Sequence, residues 1–277
     1  MRWGFQKYEI KNFDETIDEI VSNKKSISRF GDGEFHLLTN ERGIFFQQLN
    51  QKIAIRLNEV LNSNLPNHLV CIPSNFNTQK NLKRQAKIHW LDFINKKGKE
   101  VNAAIENPSK IFGDAMISRF YFDYENKNEV SGRIKSLKKI WENREVLIVE
   151  GELSRLGVRN DFFQNAKSIE RILCPSKNAF EKYENIFTAS KRYGKNKLII
   201  IALGPTATIL AYDLAKENYW ALDLGHIDIE YSWFLENAQT KIPVKGKKSA
   251  EVSGEENFDL SRAELVDYQA SIVANIL

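Results

Sequence analysis

Residues 197–204, KLIIIALG, run straight into PTATILAYDLAKEN at 205–218. Six apolar residues in a row, closed by Gly204, describe a strand covered on both faces, as in a parallel sheet. Pro205 suits the first position of a helix, and the apolar residues from Ile209 to Leu214 continue at helical spacing. A buried strand followed at once by a helix is half of a β-α-β unit. The same alternation extends on both sides. VLIVEG (146–151), SIERILCP (168–175) and YWALDLG (219–225) read as strands. VSGRIKSLKKIWEN, NAFEKYENIFTASKRYG and IDIEYSWFLEN read as helices, the second ending in Gly194. The pattern predicts an α/β, Rossmann-like, mostly parallel sheet flanked by helices, with right-handed crossovers.

The first half is fainter. FDETIDEIVSN (13–23) has helical spacing, and residues 27–30 read as a strand broken by Gly31 and Gly33. Residues 47–62 and KRQAKIHWLDFIN read as helices, HLVCIP (68–73) as a buried strand, and 111–120 as extended. From about Thr240 the periodicity lapses. The lysine-rich segment 241–250 has little to build a core with and reads as an exposed loop or lid, followed by a helix from Ser261. The expected organisation is one domain over 1–240, with a loop and C-terminal helical tail over 241–277 packed on it.

Composition removes several function classes. Apolar residues at 42% and charged residues at 27% exclude a disordered or fibrous chain. Forty Lys and Arg against 36 Asp and Glu leave +4, too little for a dedicated nucleic-acid binder but suited to an anionic ligand. Cys71 and Cys174 each sit in an apolar run before proline and read as buried, reduced strand residues. No apolar run approaches the roughly 18 residues of a membrane span, and the N-terminus lacks the apolar stretch of a secretion signal, so a cytoplasmic setting is expected. The G-x-G-x-x-G, G-x-x-x-x-G-K-[ST], H-E-x-x-H and G-x-S-x-G motifs are absent.

Four polar clusters follow strands. In Gly31-Asp32-Gly33-Glu34, two carboxylates two residues apart would share a side of an extended stretch. Such hard oxygen donors suit Mg²⁺ or Mn²⁺ bridging to a diphosphate, although turn geometry alone also accounts for Asp and Gly here. Gly204, Pro205 and Thr206 would form a helix N-terminus able to hold an anion; plain capping is the equal alternative. Glu150 to Asp161 offer Arg155 and Arg159 as a phosphate clamp, or as a solvated loop with internal ion pairs. Asp223 to Tyr231 bring His226, Asp228 and Glu230 to the same edge, with Asp228 also readable as a helix cap. In a parallel sheet all four would line one rim.

RFGDGEF (29–35), EGELSRLGVRNDFF (150–163), RILCPSKNAF (171–180), ALGPTATILAYDLA (202–215) and ALDLGHIDIEYSWFL (221–235), in this order, resemble the GT-D glycosyltransferases of bacterial glycosylation loci, once catalogued as a domain of unknown function. The resemblance covers roughly residues 25–238, with Arg159 standing where the family's pattern has Gly. It implies a metal-assisted, UDP-sugar-dependent transferase in which Asp32 and Glu34 form a D-x-E metal pair for Mn²⁺ or Mg²⁺. It implies a catalytic group of Asp32, Glu34, His226, Asp228 and Glu230. The donor would be bound by Arg29, Gly31, Gly33, Glu152, Arg155, Asn160, Asp161, Gly204, Pro205 and Thr206. The implied reaction moves glucose from UDP-glucose to a glycan or glycopeptide acceptor, extending O-linked glycans of serine-rich repeat adhesins in the cytosol. A non-catalytic nucleotide-binding subunit and a metal-dependent phosphohydrolase are the alternatives, separated by whether UDP, phosphate or nothing is released.

Overall fold

The computed structural model describes residues 5–39, 41–249, 251–252 and 258–277. The first half contains β1 (Glu9–Ile10), α1 (Phe13–Val21), β2 (Ser26–Arg29), α2 (Asp32–Leu38), α3 (Gln51–Asn62), β3 (His68–Ile72), α4 (Arg84–Ala104) and β4 (Ile111–Asp114). The second contains α5 (Val130–Lys138), β5 (Glu145–Gly151), β6 (Ser168–Cys174), α6 (Tyr183–Gly194), β7 (Leu198–Ala202), α7 (Pro205–Lys216), β8 (Trp220–Asp223), α8 (Ile227–Leu235), α9 (Arg262–Ala270) and β9 (Ile272–Asn275). The nine strands form one sheet in the order β1-β4-β3-β2-β8-β7-β5-β6-β9, and every pairing is parallel.

The apolar run that predicts β7 is buried throughout. Its alternate residues face opposite layers, because side chains along a strand point to opposite faces. Leu198 and Ile200 join the core formed with α1, α5 and α8. Ile199 and Ile201 join the core under α6 and α7. Helices α2, α3 and α4 extend that second layer over β2 and β3. Helix α7 is buried from Pro205 to Ala215, which explains why its sequence is apolar almost all round. Gly194 ends α6 as expected, but with a space requirement: a Cβ there would come within 2.5 Å of Ile199 Cδ1.

Four expectations are corrected. Asp32 and Glu34 are not on an extended stretch; they open α2. The Glu34 carboxylate accepts a hydrogen bond from the Gly31 N–H at 2.8 Å, and this one-sided cap starts a helix where the strand would otherwise continue. The stretch 111–120 is extended only to Asp114, whose side chain accepts from the Met116 N–H at 2.8 Å and turns the chain into a short 3₁₀ segment. Part of segment 241–250 does pack: Lys247 is only 3% exposed, Ser249 is buried, and Ile242 and Val244 lie against the core. Finally, the tail is not helix alone. Ser261 caps α9 as its sequence suggests, but β9 then adds an edge strand beside β6.

Candidate active site

Strands β2 and β8 are neighbours, yet the helices that follow them leave to opposite layers, α2 to one and α8 to the other. The loops diverge and leave a crevice at the C-terminal edge of the sheet, the place where open α/β sheets bind ligands. A cavity of about 600 Å³ occupies it. The ends of β2, β5, β7 and β8 all contribute wall residues, so the four clusters do share one rim.

The floor is an Arg29–Asp223 lock. Arg29 Nη2 meets Asp223 Oδ1 at 3.0 Å, Nε donates to the Asp223 carbonyl at 2.6 Å, and Nη1 donates to Ser118 Oγ at 2.6 Å. Thr208 Oγ1 donates to Asp223 Oδ2 at 3.1 Å. Gly225 is needed for this closeness, since a Cβ would lie 2.9 Å from Arg29 Nη2. Arg29 lines the cavity but is held by protein partners.

Asp32 stands in the wall with its side chain 45% exposed, 3.2 Å from His89 Nε2. Burial raises its pKa, but the hydrogen bond and charge of His89 outweigh that and hold it below the usual carboxylate range. Glu34 also lines the cavity, and burial, with the nearby Asp223 carboxylate, pushes it up to about 7. His226 also lines the cavity, edge-on to Trp233. Burial, then the Arg119 charge, keeps its imidazole neutral. Gly31, Gly33, Gly204 and Pro205 complete the predicted residues that reach the cavity.

Of the others, only Asp228 touches it. Thr206 is fully buried behind Pro205. Asp228 Oδ1 accepts from the Gly157 N–H at 2.8 Å and from Asn160 Nδ2 at 2.9 Å, and its Oδ2 pairs with buried Lys247, so only the edge of Asp228 meets the cavity. Glu230 Oε2 accepts from the backbone N–H groups of Tyr121 and Phe122, each at 2.8 Å. Asp161 is held below its usual range by the hydroxyl of Tyr231 and by Lys138. Arg155 points to the carbonyls of Gly246 and Phe258. Glu152, Asn160 and Asp161 likewise stand outside the lining. Asp228, Glu230, Asp161 and Arg155 thereby brace the loops around the site.

Sequence reasoning missed Lys83, His89, Arg119, Lys241, Lys248 and Glu251, all in the cavity wall. Arg119 was within reach, because it follows β4 onto the same rim. Glu251 pairs with Arg119 and Lys241, which hold its carboxylate well below the usual range despite its burial. Among the described residues, no group of three or more His, Cys, Asp or Glu comes together to hold a metal ion. No helix among them is long and apolar enough to cross a membrane. Cys71 and Cys174 are buried and free.

A fully parallel sheet with a charged crevice at its switch point defines a Rossmann-like α/β binding domain. The chain belongs to the glycosyltransferases of GT-D fold, whose family model matches residues 27–252. It is 36% identical over 272 residues to the "Probable glycosyl transferase Gly" of Streptococcus gordonii, covering 98% of this chain and 39% of that protein. It is equally identical over 273 residues to "Glycosyltransferase GlyD" of Streptococcus pneumoniae, covering 97% and 33%. The chain thus spans a third to two-fifths of these relatives. A solved structure described as a new glycosyltransferase from Streptococcus sanguinis superposes with a TM-score of 0.90 at 36% identity, covering 98% of this chain and all of that one. The enzyme class is glycosyltransferase, which requires an activated sugar donor and an acceptor.

Proposed function

We propose that this domain transfers glucose from UDP-glucose to a sugar hydroxyl of a growing protein O-glycan or surface glycan, with Mn²⁺ or Mg²⁺, in the cytoplasm. The observation that carries the reading is Asp32, a half-open carboxylate facing a cavity whose walls also hold Lys83, Arg119, Lys241 and Lys248. A divalent ion of this kind is usually held by one or two carboxylates plus substrate phosphate oxygens, not by a closed protein cage. Asp32, joined by Glu34 once that group ionises, fits this donor set. When bound, such an ion neutralises the charge that develops on a leaving diphosphate.

The chain's own residues account for the remaining tasks. The wall lysines and Arg119 attract and orient the diphosphate. Gly31, Gly33 and Gly204 keep the wall low where the donor must approach the backbone. His226, neutral at pH 7, accepts the hydrogen bond of the acceptor hydroxyl in the same cavity. Because Glu34 titrates near 7, transfer should rise as pH increases through that value.

A panel of UDP-, GDP- and dTDP-sugars, with and without Mn²⁺ and with disaccharide acceptors, tests the reading. UDP release from UDP-glucose, dependent on metal and acceptor, supports it. Release of inorganic phosphate instead points to a phosphohydrolase, and a folded protein that binds UDP without turnover points to a nucleotide-binding subunit.

A further inference from the structure

The loop after β5 holds two arginines in the left-handed backbone region, Arg155 with φ 46° and Arg159 with φ 65°. A residue with a Cβ keeps that conformation only where its surroundings over-determine it. Here both guanidinium groups reach the C-terminal segment. Arg155 Nη1 donates to the Gly246 carbonyl at 2.9 Å and to the Phe258 carbonyl at 2.5 Å, tying two distant points of that segment together. Its guanidinium also lies 5.8 Å from the ring centre of Tyr268 on α9. Arg159 forks onto Glu264 of α9, Nε to Oε1 at 2.9 Å and Nη2 to Oε2 at 2.8 Å, and Nη2 reaches the Asp259 carbonyl at 3.3 Å. That fork depresses the Glu264 carboxyl to about 2. The segment is also pinned by the Lys248 N–H on the Leu153 carbonyl at 2.9 Å and by Lys247 on Asp228.

What the segment presents to the cavity is chemically specific: Lys241, Lys248, Ser249 and Glu251. Glu251 in turn holds Arg119 and Lys241, with His226 Nε2 at 3.6 Å. We propose that Arg155 and Arg159 form a clasp that fixes the C-terminal segment over the cavity, so that both are positioning residues for the donor site and not phosphate ligands. The inference rests on the reading of the cavity as the donor site. It explains why left-handed strain is kept at two arginines of one loop: their reach closes the wall from outside. It also makes the wall's charge pattern depend on a contact remote from the reacting atoms.

Arg159→Gly tests the clasp, because glycine adopts this backbone freely and the variant removes only the fork. Amide exchange across residues 258–270 should quicken and the KM for UDP-glucose should rise, each by roughly twofold to fivefold, the range of a forked ion pair at the surface. The kcat should move less, and the melting temperature should hold or rise. Glu264→Gln should reproduce the effect, and the double variant should be no worse than either single one. Arg159→Lys should restore part of the affinity. Exchange unchanged in Arg159→Gly would overturn the clasp, and so would faster exchange with a wild-type KM. If the wild-type protein turns over no nucleotide sugar, the functional reading fails, and the exchange arm alone still decides whether the clasp exists.

Discussion

The turn after β2 and the turn after β8 look alike in sequence and behave differently in the fold. Each follows a central strand, opens a helix, and carries two carboxylates separated by one residue: Asp32 and Glu34 in one, Asp228 and Glu230 in the other. Asp32 remains half open, with an exposed histidine beside it. Asp228 and Glu230 are buried, and their oxygens are filled by Gly157, Asn160, Lys247 and the backbone of residues 121–122. The acidic pattern alone assigns no role. The role follows from what the rest of the chain delivers to the carboxylate lone pairs, and of these four carboxylates Asp32 is the one left half open to a ligand.

This contrast can be broken or sharpened by substitution. The largest stability effect belongs to Asp228→Ala, which strands the Lys247 ammonium in the interior and should cost about 3–5 kcal/mol in denaturant unfolding. Replacing both partners, Asp228→Leu with Lys247→Met, should recover most of that loss. Recovery absent from the double variant would mean that the bonds to Gly157 and Asn160, not the ion pair, carry the effect.

Glu230→Gln should act through pH. Burial pushes Glu230 up to about 7, with Arg119 opposing, so the folded state holds a proton that the unfolded chain releases near 4.5. This contribution to stability is present below pH 4.5 and is lost as pH rises through 7. The Gln variant should therefore flatten the fall in stability between pH 4.5 and 7 by roughly 1–3 kcal/mol. An identical slope in both proteins would show that Glu230 does not titrate there. Tyr231→Phe should be the mildest, about 0.5–1.5 kcal/mol for one hydrogen bond to Asp161. It should leave transfer unaffected, since neither residue lines the cavity.

The architecture was legible because it rests on local signals. The run at 198–202 could only be a doubly covered strand, Pro205 marked the helix start, and four strand ends with polar residues implied a common rim. The site was legible only in part. Asp32, Glu34, His226 and the glycines follow their strands directly. The partners that fill Asp228 come from Gly157, Asn160 and Lys247, and no periodicity reports such distant contacts. Segment 241–250 looked unable to pack because its lysines are polar, yet Lys247 is buried by pairing with a carboxylate. Arg155 read as a phosphate ligand by residue type, with Arg159 open between a phosphate and an ion pair, and the fold turns both toward the tail.

The central claim is that the half-open carboxylate of the β2 turn carries the chemistry, while the two carboxylates of the β8 turn only shape the site. Its most direct test is the rate of UDP-glucose turnover by Asp32→Ala, measured beside the melting temperature of the same preparation. Asp32 is half exposed and its side-chain ion pair is with the exposed His89, so the melting temperature should stay close to the wild-type value while turnover falls about a hundredfold or more. Turnover within about twofold of wild type, in a protein equally stable, would contradict the account.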